Sequence, residues 1–76
     1  MPKKTHVRNR IRELRAEADR MTQAELATKL GVTRQTVIAM EQNRYSPSLE
    51  TAFLAARVFG VPLEDVFQFE YEPEKG

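Results

Sequence analysis

A chain of 76 residues without a cysteine has room for one small domain, in which ~60% of the unfolded surface can be buried and neither a disulfide framework nor a thiolate metal site supplements the core. No window reaches the ~18 consecutive apolar residues of a membrane span, and the opening MPKKTHVRNR lacks the apolar stretch of a secretory signal, which is the pattern expected of a soluble cytoplasmic protein. The formal net charge of +1 conceals a split: residues 1–48 carry ten Lys or Arg against five Asp or Glu, and residues 49–76 two against six, so the first part suits a polyanion and the second does not.

Val7, Ile11, Leu14 and Ala18 step by four, three and four, which predicts a first helix over about 8–18 with Arg8, Arg12 and Glu13 outward. Thr22 and Glu25 have capping-box spacing, where each side chain satisfies a backbone N–H of the other residue. The second helix follows over about 23–30 and stops at Gly31, which accepts a left-handed backbone. Thr33 caps a third helix over about 34–42, and Asn43 terminates it. Only Gly31, Val32 and Thr33 separate these two helices, and so short a joint forces the sharp crossing of a helix-turn-helix.

Ser46-Pro47-Ser48 breaks the chain; Ser48 caps a fourth helix over about 49–59, closed by Gly60, and Pro62 opens a fifth over about 63–67. The fourth helix is apolar nearly all round. Leu49, Ala52, Phe53, Ala56 and Phe59 cover one side and Leu54, Ala55 and Val58 much of the other, which predicts burial on two sides, one against a second subunit. In the tail, Phe67, Phe69 and Tyr71 alternate with polar residues, the period of a strand over about 67–71. Its partner is predicted at about 4–7, where Thr5 and Val7 are β-branched. The predicted fold class is all-α: a five-helix helix-turn-helix domain with a small two-stranded antiparallel sheet formed by the N- and C-terminal ends. Leu54, Val58, Val66, Phe67, Phe69 and Tyr71 are the expected contacts of a homodimer.

The third helix carries the chemistry. At ~100° per residue, Arg34, Ile38, Gln42, Gln35 and Ala39 share an arc of about 140°, with Thr36, Val37 and Met40 opposite. A solvated face has no use for Ile38 among these residues. The major groove of a DNA duplex has: Arg donates twice to guanine, Gln bonds adenine, and an aliphatic group meets the thymine methyl. Arg34, Gln35, Ile38 and Ala39 are therefore the candidate base readers. Gln23, near the helix junction, is placed to bond a phosphate and brace a long side chain of the third helix. Asn43, Arg44, Tyr45 and Ser46 follow that helix with amide, guanidinium, phenol and hydroxyl donors for phosphates, and Thr33, Thr36 and Gln42 join them as candidates.

The stretch TQAELATKLGVTRQTVIAMEQNRYSPSL, Thr22 to Leu49, resembles the Cro and phage-repressor-like helix-turn-helix family, the Xre class, and the resemblance runs from IRELR to PLEDVF. Length and ending are most similar to the short stand-alone repressors of the cytolysin-repressor type, which pair their chain ends as a small sheet and act as homodimers. The resemblance implies that Gln23 binds phosphate and braces, that Arg34, Gln35 and Ala39 meet bases, that Gln42 to Arg44 grip phosphates, and that Arg15 and Glu41 form an ion pair between the first and third helices. Two departures are the RAEADRM segment, about one residue longer than usual, and Asn43, where many members carry Gly; Asn tolerates the left-handed turn.

Other chemistries find little support. The single His, His6, has no nucleophile or carboxylate near it in sequence, and two internal glycines are too few for a phosphate-cradling loop, so no catalytic residue is assigned. No His or Cys pair offers a metal site. No cofactor, small-molecule ligand or membrane contact is expected; the expected partners are double-stranded DNA and a second subunit. The competing reading is a protein-interaction module, such as an antitoxin component that binds a partner protein.

Overall fold

The computed structural model describes residues 6–70. The chain runs through β1 (Val7–Asn9), α1 (Ile11–Glu17), α2 (Gln23–Leu30), α3 (Arg34–Glu41), α4 (Leu49–Phe59), α5 (Leu63–Val66) and β2 (Phe67–Phe69). Five helices and one antiparallel pair of strands bear out the predicted fold class.

Side-chain caps set the helix starts. Thr22 Oγ1 accepts from Glu25 N at 3.0 Å while Glu25 Oε1 accepts from Thr22 N at 2.8 Å, so both arms of the capping box are made. Thr33 accepts from Thr36 N at 3.1 Å and Ser48 from Thr51 N at 3.2 Å. Gly31, at φ 70°, ends α2 in a Schellman turn: its N–H donates to Thr28 O, and Val32 N donates to Ala27 O at 3.0 Å. That turn points the chain into the Thr33 cap, which is why α2 and α3 are joined so tightly.

The strand at the N-terminal end is displaced from its predicted place. The register pairs Val7 with Phe69, Arg8 with Gln68 and Asn9 with Phe67, so the strand is Val7–Asn9 rather than 4–7; residues 4 and 5 lie outside the described residues. Accordingly α1 starts at Ile11 and not at Arg8. The four-residue step from Val7 to Ile11 mimics a helical period, but Arg8 and Asn9 are committed to the ladder, and Arg10 N donates to Val66 O at 2.9 Å. Glu41, Glu17 and Val66 each end a helix one residue earlier than predicted, and Phe67 is already extended at φ −124°, ψ 140°. β2 ends at Phe69, short of the predicted 71.

Ile11 and Leu14 of α1, Leu26, Ala27 and Leu30 of α2, Val37 and Met40 of α3, Ala55 and Ala56 of α4, and Val66 of α5 form the core. Two expectations about the apolar surface are corrected by this arrangement. Val66 is 0% exposed: the carbonyl that receives Arg10 N ties it beneath the sheet, so it is a core residue and not a subunit contact. Val58 and Phe67 are half-buried against the same cluster. On α4 the inward positions belong to Ala52, Ala55 and Ala56, whereas Leu49 and Phe53, on one of the two sides expected to be buried, are 67% and 51% exposed. Alanine side chains let α4 lie close to α2 and α5, and that contact leaves the larger residues outside. Leu54 and Phe69 are exposed at 41% and 68%, and Tyr71 lies outside the described residues.

Candidate nucleic-acid interface

Val37 and Met40 anchor α3 by turning into the core, with 0% and 1% of their surface exposed. The opposite face is left open. Arg34 and Gln35 stand exposed in the first turn, and Ile38 and Ala39 are half-exposed one turn on, so the four candidate base readers share the uncovered side of the helix. Thr33, at the cap, is exposed and its hydroxyl lies 3.0 Å from that of half-buried Thr36.

At the other end Asn43 takes φ 59°, and a second Schellman turn forms: Asn43 N donates to Met40 O and Arg44 N to Ala39 O, both at 3.0 Å. Asn supplies the left-handed residue for which glycine is the common choice. The turn carries Gln42, Arg44, Tyr45 and Ser46 to the surface, where Arg44 Nη1 donates to Gln42 Oε1 at 3.2 Å. These exposed donors continue the open face of α3 beyond its C-terminus.

Across residues 31–48 the only acid is Glu41, and its carboxylate is folded behind the helix. Arg15 Nε donates to Glu41 Oε2 at 2.6 Å and Arg15 Nη2 to Oε1 at 3.2 Å, with 15% and 8% of the two side chains exposed. Gln23 Nε2 adds a third donor to Oε1 at 3.0 Å. The long α3 side chain that Gln23 braces is thus Glu41, and one amide N–H serves it while the amide carries a second. Arg15 Nη1 also donates to Met21 O at 2.8 Å, which fixes the turn where Asp19 and Arg20 adopt φ 56° and 59°. One guanidinium therefore ties α1, the turn before α2, and α3. The RAEADRM segment passes through these two left-handed residues, and the bridge between Arg15 and Glu41 is made.

Asn9 belongs to this site although nothing in the sequence reading assigned it. Its Nδ2 donates to Met40 O at 2.7 Å and lies 3.4 Å from Asn43 Oδ1, while its Oδ1 accepts from Ile11 N at 3.1 Å. It therefore starts α1 and satisfies a carbonyl in the last turn of α3. An Asn two residues before an apolar run is an Asx-turn signal that could have placed half of this role; the contact with α3 is long-range and leaves no local trace.

Among the described residues one titrating group is displaced. The Glu25 carboxyl is held below its ordinary value of 4.5, first by the backbone N–H of Thr22, then by the Thr22 hydroxyl and the charge of Lys29. It stabilises the start of α2, away from the open face of α3. Among the described residues no cluster of metal-ligating side chains gathers, and no helix is long and apolar enough to cross a membrane.

Residues 11–66 match the helix-turn-helix family. The chain belongs to that family, in its Xre-type branch. An uncharacterized HTH-type transcriptional regulator of Archaeoglobus fulgidus is 50% identical over 66 residues, covering 87% of this chain and 93% of that protein. The cryptic phage CTXphi transcriptional repressor RstR of Vibrio cholerae is 40% identical over 58 residues, which span 76% of this chain and 51% of RstR. A crystal structure of a Bacteroides fragilis protein described as DNA-binding superposes with a TM-score of 0.72 at 27% identity, covering 82% of this chain and 98% of that one. The helix-turn-helix formed by α2 and α3 lies wholly inside the matched region.

Proposed function

We propose that this chain is a cytoplasmic transcriptional regulator that binds double-stranded DNA sequence-specifically, as a homodimer on a twofold-symmetric operator, with α3 of each subunit in the major groove. The observation that carries the reading is the composition of the open α3 face: a cation, an amide, an aliphatic residue and a methyl side by side, with the one nearby acid withdrawn and neutralised. Arg34 and Gln35 then read base edges by paired hydrogen bonds, and Ile38 and Ala39 meet thymine methyl groups. Gln23, Thr33, Thr36, Gln42, Asn43, Arg44, Tyr45 and Ser46 hold the backbone, fixing register without reading sequence. The similarity to RstR favours repression as the outcome.

The subunit contact is assigned to the groove beside the sheet, which is lined by Val7, Leu49, Leu63, Phe67 and Phe69. Leu54 does not line it. With α3 helices in successive grooves, the half-sites lie about 34 Å apart, ~10 base pairs centre to centre. Selection of bound duplexes from a random pool tests function class and symmetry together. Enrichment of a palindrome with that spacing is the expected result; a pool that stays random would overturn the reading and promote the protein-interaction alternative.

A further inference from the structure

The exposed large side chains of α4 divide between two recesses. Leu49 belongs to the groove beside the sheet, already assigned to the operator-binding dimer. Phe53 and Leu54 belong to a different one, floored by Leu30 of α2 and flanked on α4 by Glu50 and Arg57. Glu50 and Arg57 are two helical turns apart, ~10 Å along the axis, too far to pair with each other. Among the described residues neither takes part in an ion pair.

The order Glu50, Phe53, Leu54, Arg57 has a centre of antisymmetry between Phe53 and Leu54, with an anion 3.5 positions before it and a cation 3.5 positions after it. The geometry points to this face as a contact with a second copy of the same chain, two α4 helices packing antiparallel about a twofold axis at Phe53 and Leu54. In such a contact each residue i that meets j is matched by j meeting i. Each Glu50 therefore meets Arg57 of the second copy, twice per contact, around an apolar centre of four large side chains. A parallel arrangement instead sets like charges together. An acidic partner would be repelled by Glu50 and a basic one by Arg57, so the face fits its own copy better than either.

Size decides how the contact is used. α4 has 11 residues and is ~16 Å long, so a single helix pair buries well below the ~800 Å² per partner of a standard interface. Alone it binds weakly; between dimers already held side by side on neighbouring operators it acts at high local concentration and makes their binding cooperative.

Sedimentation of the full chain at low salt, without DNA, tests this. The wild type should show an association step beyond the sheet-side dimer at high concentration. Glu50→Arg and Arg57→Glu should each weaken that step about tenfold or more by opposing like charges. An equimolar mixture of the two variants should restore it, because one then presents two cations on this face and the other two anions. Far-ultraviolet circular dichroism establishes that both variants fold. Phe69→Ser should remove the sheet-side association and leave the α4 step in place. Absence of the wild-type step up to millimolar chain, insensitivity to both single variants, or a mixture no stronger than its components would each overturn the inference. Because no DNA is present, failure of the DNA-binding reading would leave this result intact.

Discussion

α3 and α4 are neighbours in sequence and use amphipathicity in opposite senses. α3 buries its large residues, Val37 and Met40, and exposes polar ones with Ile38 among them. α4 buries three alanines and exposes Leu49, Phe53 and Leu54. The first pattern fixes a helix firmly while leaving its far side chemically specific, as reading a groove requires. The second lets a helix lie close to its neighbours while leaving its larger apolar side chains exposed. Hydrophobicity alone does not separate an inward face from an outward one; on α4 the size of the side chain does.

The sharpest test of that contrast is a pair of truncations. Met40→Ala should cost about 2–5 kcal/mol through a cavity in the core, whereas Phe53→Ala should stay within about 0.5 kcal/mol; urea unfolding under conditions that keep the chain monomeric measures both. Equal losses would break the description of α4 as a helix with its large side outward. Next in size is Arg15→Leu, which leaves the Glu41 carboxylate with Gln23 as its remaining side-chain donor. With the pair only slightly exposed, about 3 kcal/mol of stability should be lost, read from the same midpoint shift. A loss under about 1 kcal/mol would show that α3 is held by its apolar side alone.

On the outward side of α3, Arg34→Ala should cost about 1–3 kcal/mol of DNA affinity and relax preference at one base pair, while Arg44→Ala should weaken binding to all sequences and lower the salt slope by about one. Titrations on selected and random duplexes at several salt concentrations separate the two; parallel losses would abolish the division between reading and gripping. The smallest effect belongs to Glu25, at the start of α2. Because its folded carboxyl titrates below the ordinary value of 4.5, its contribution is present above that pH and disappears as the pH falls through the folded value. Glu25→Gln should therefore lower the melting temperature near neutrality and converge with wild type in acid; a difference that persisted unchanged in acid would rule out the charge as its source.

What could be read from the sequence was local. Thr22, Thr33 and Ser48 cap helices, and Gly31, Asn43 and Gly60 end them, because each acts on backbone groups within a few residues. The open arc of α3 was legible for the same reason, since Val37 and Met40 define its back. Pairing register was not: Val7 meets Phe69 across the length of the chain, and no periodicity near Val7 distinguishes strand from helix. Nor was the inward side of α4, where both candidate arcs are apolar. Val66 of the fifth helix is expected at the subunit contact, but its carbonyl is captured by Arg10 N, a contact set by the sheet. The link from Asn9 to α3 spans 31 residues and had no signal at all beyond its local turn.

That link ties together parts of the molecule that ordinarily open independently. Chain ends are where local unfolding begins, and its cost is usually confined to them. Here the strand contributed by the N-terminal end includes Asn9, whose amide occupies the Met40 carbonyl at the close of α3. Fraying of the sheet withdraws a hydrogen bond from the last turn of α3, the helix proposed to face DNA. Opening the sheet and loosening the end of α3 thus become one event, so amide hydrogens in β1 and at the end of α3 are expected to exchange together.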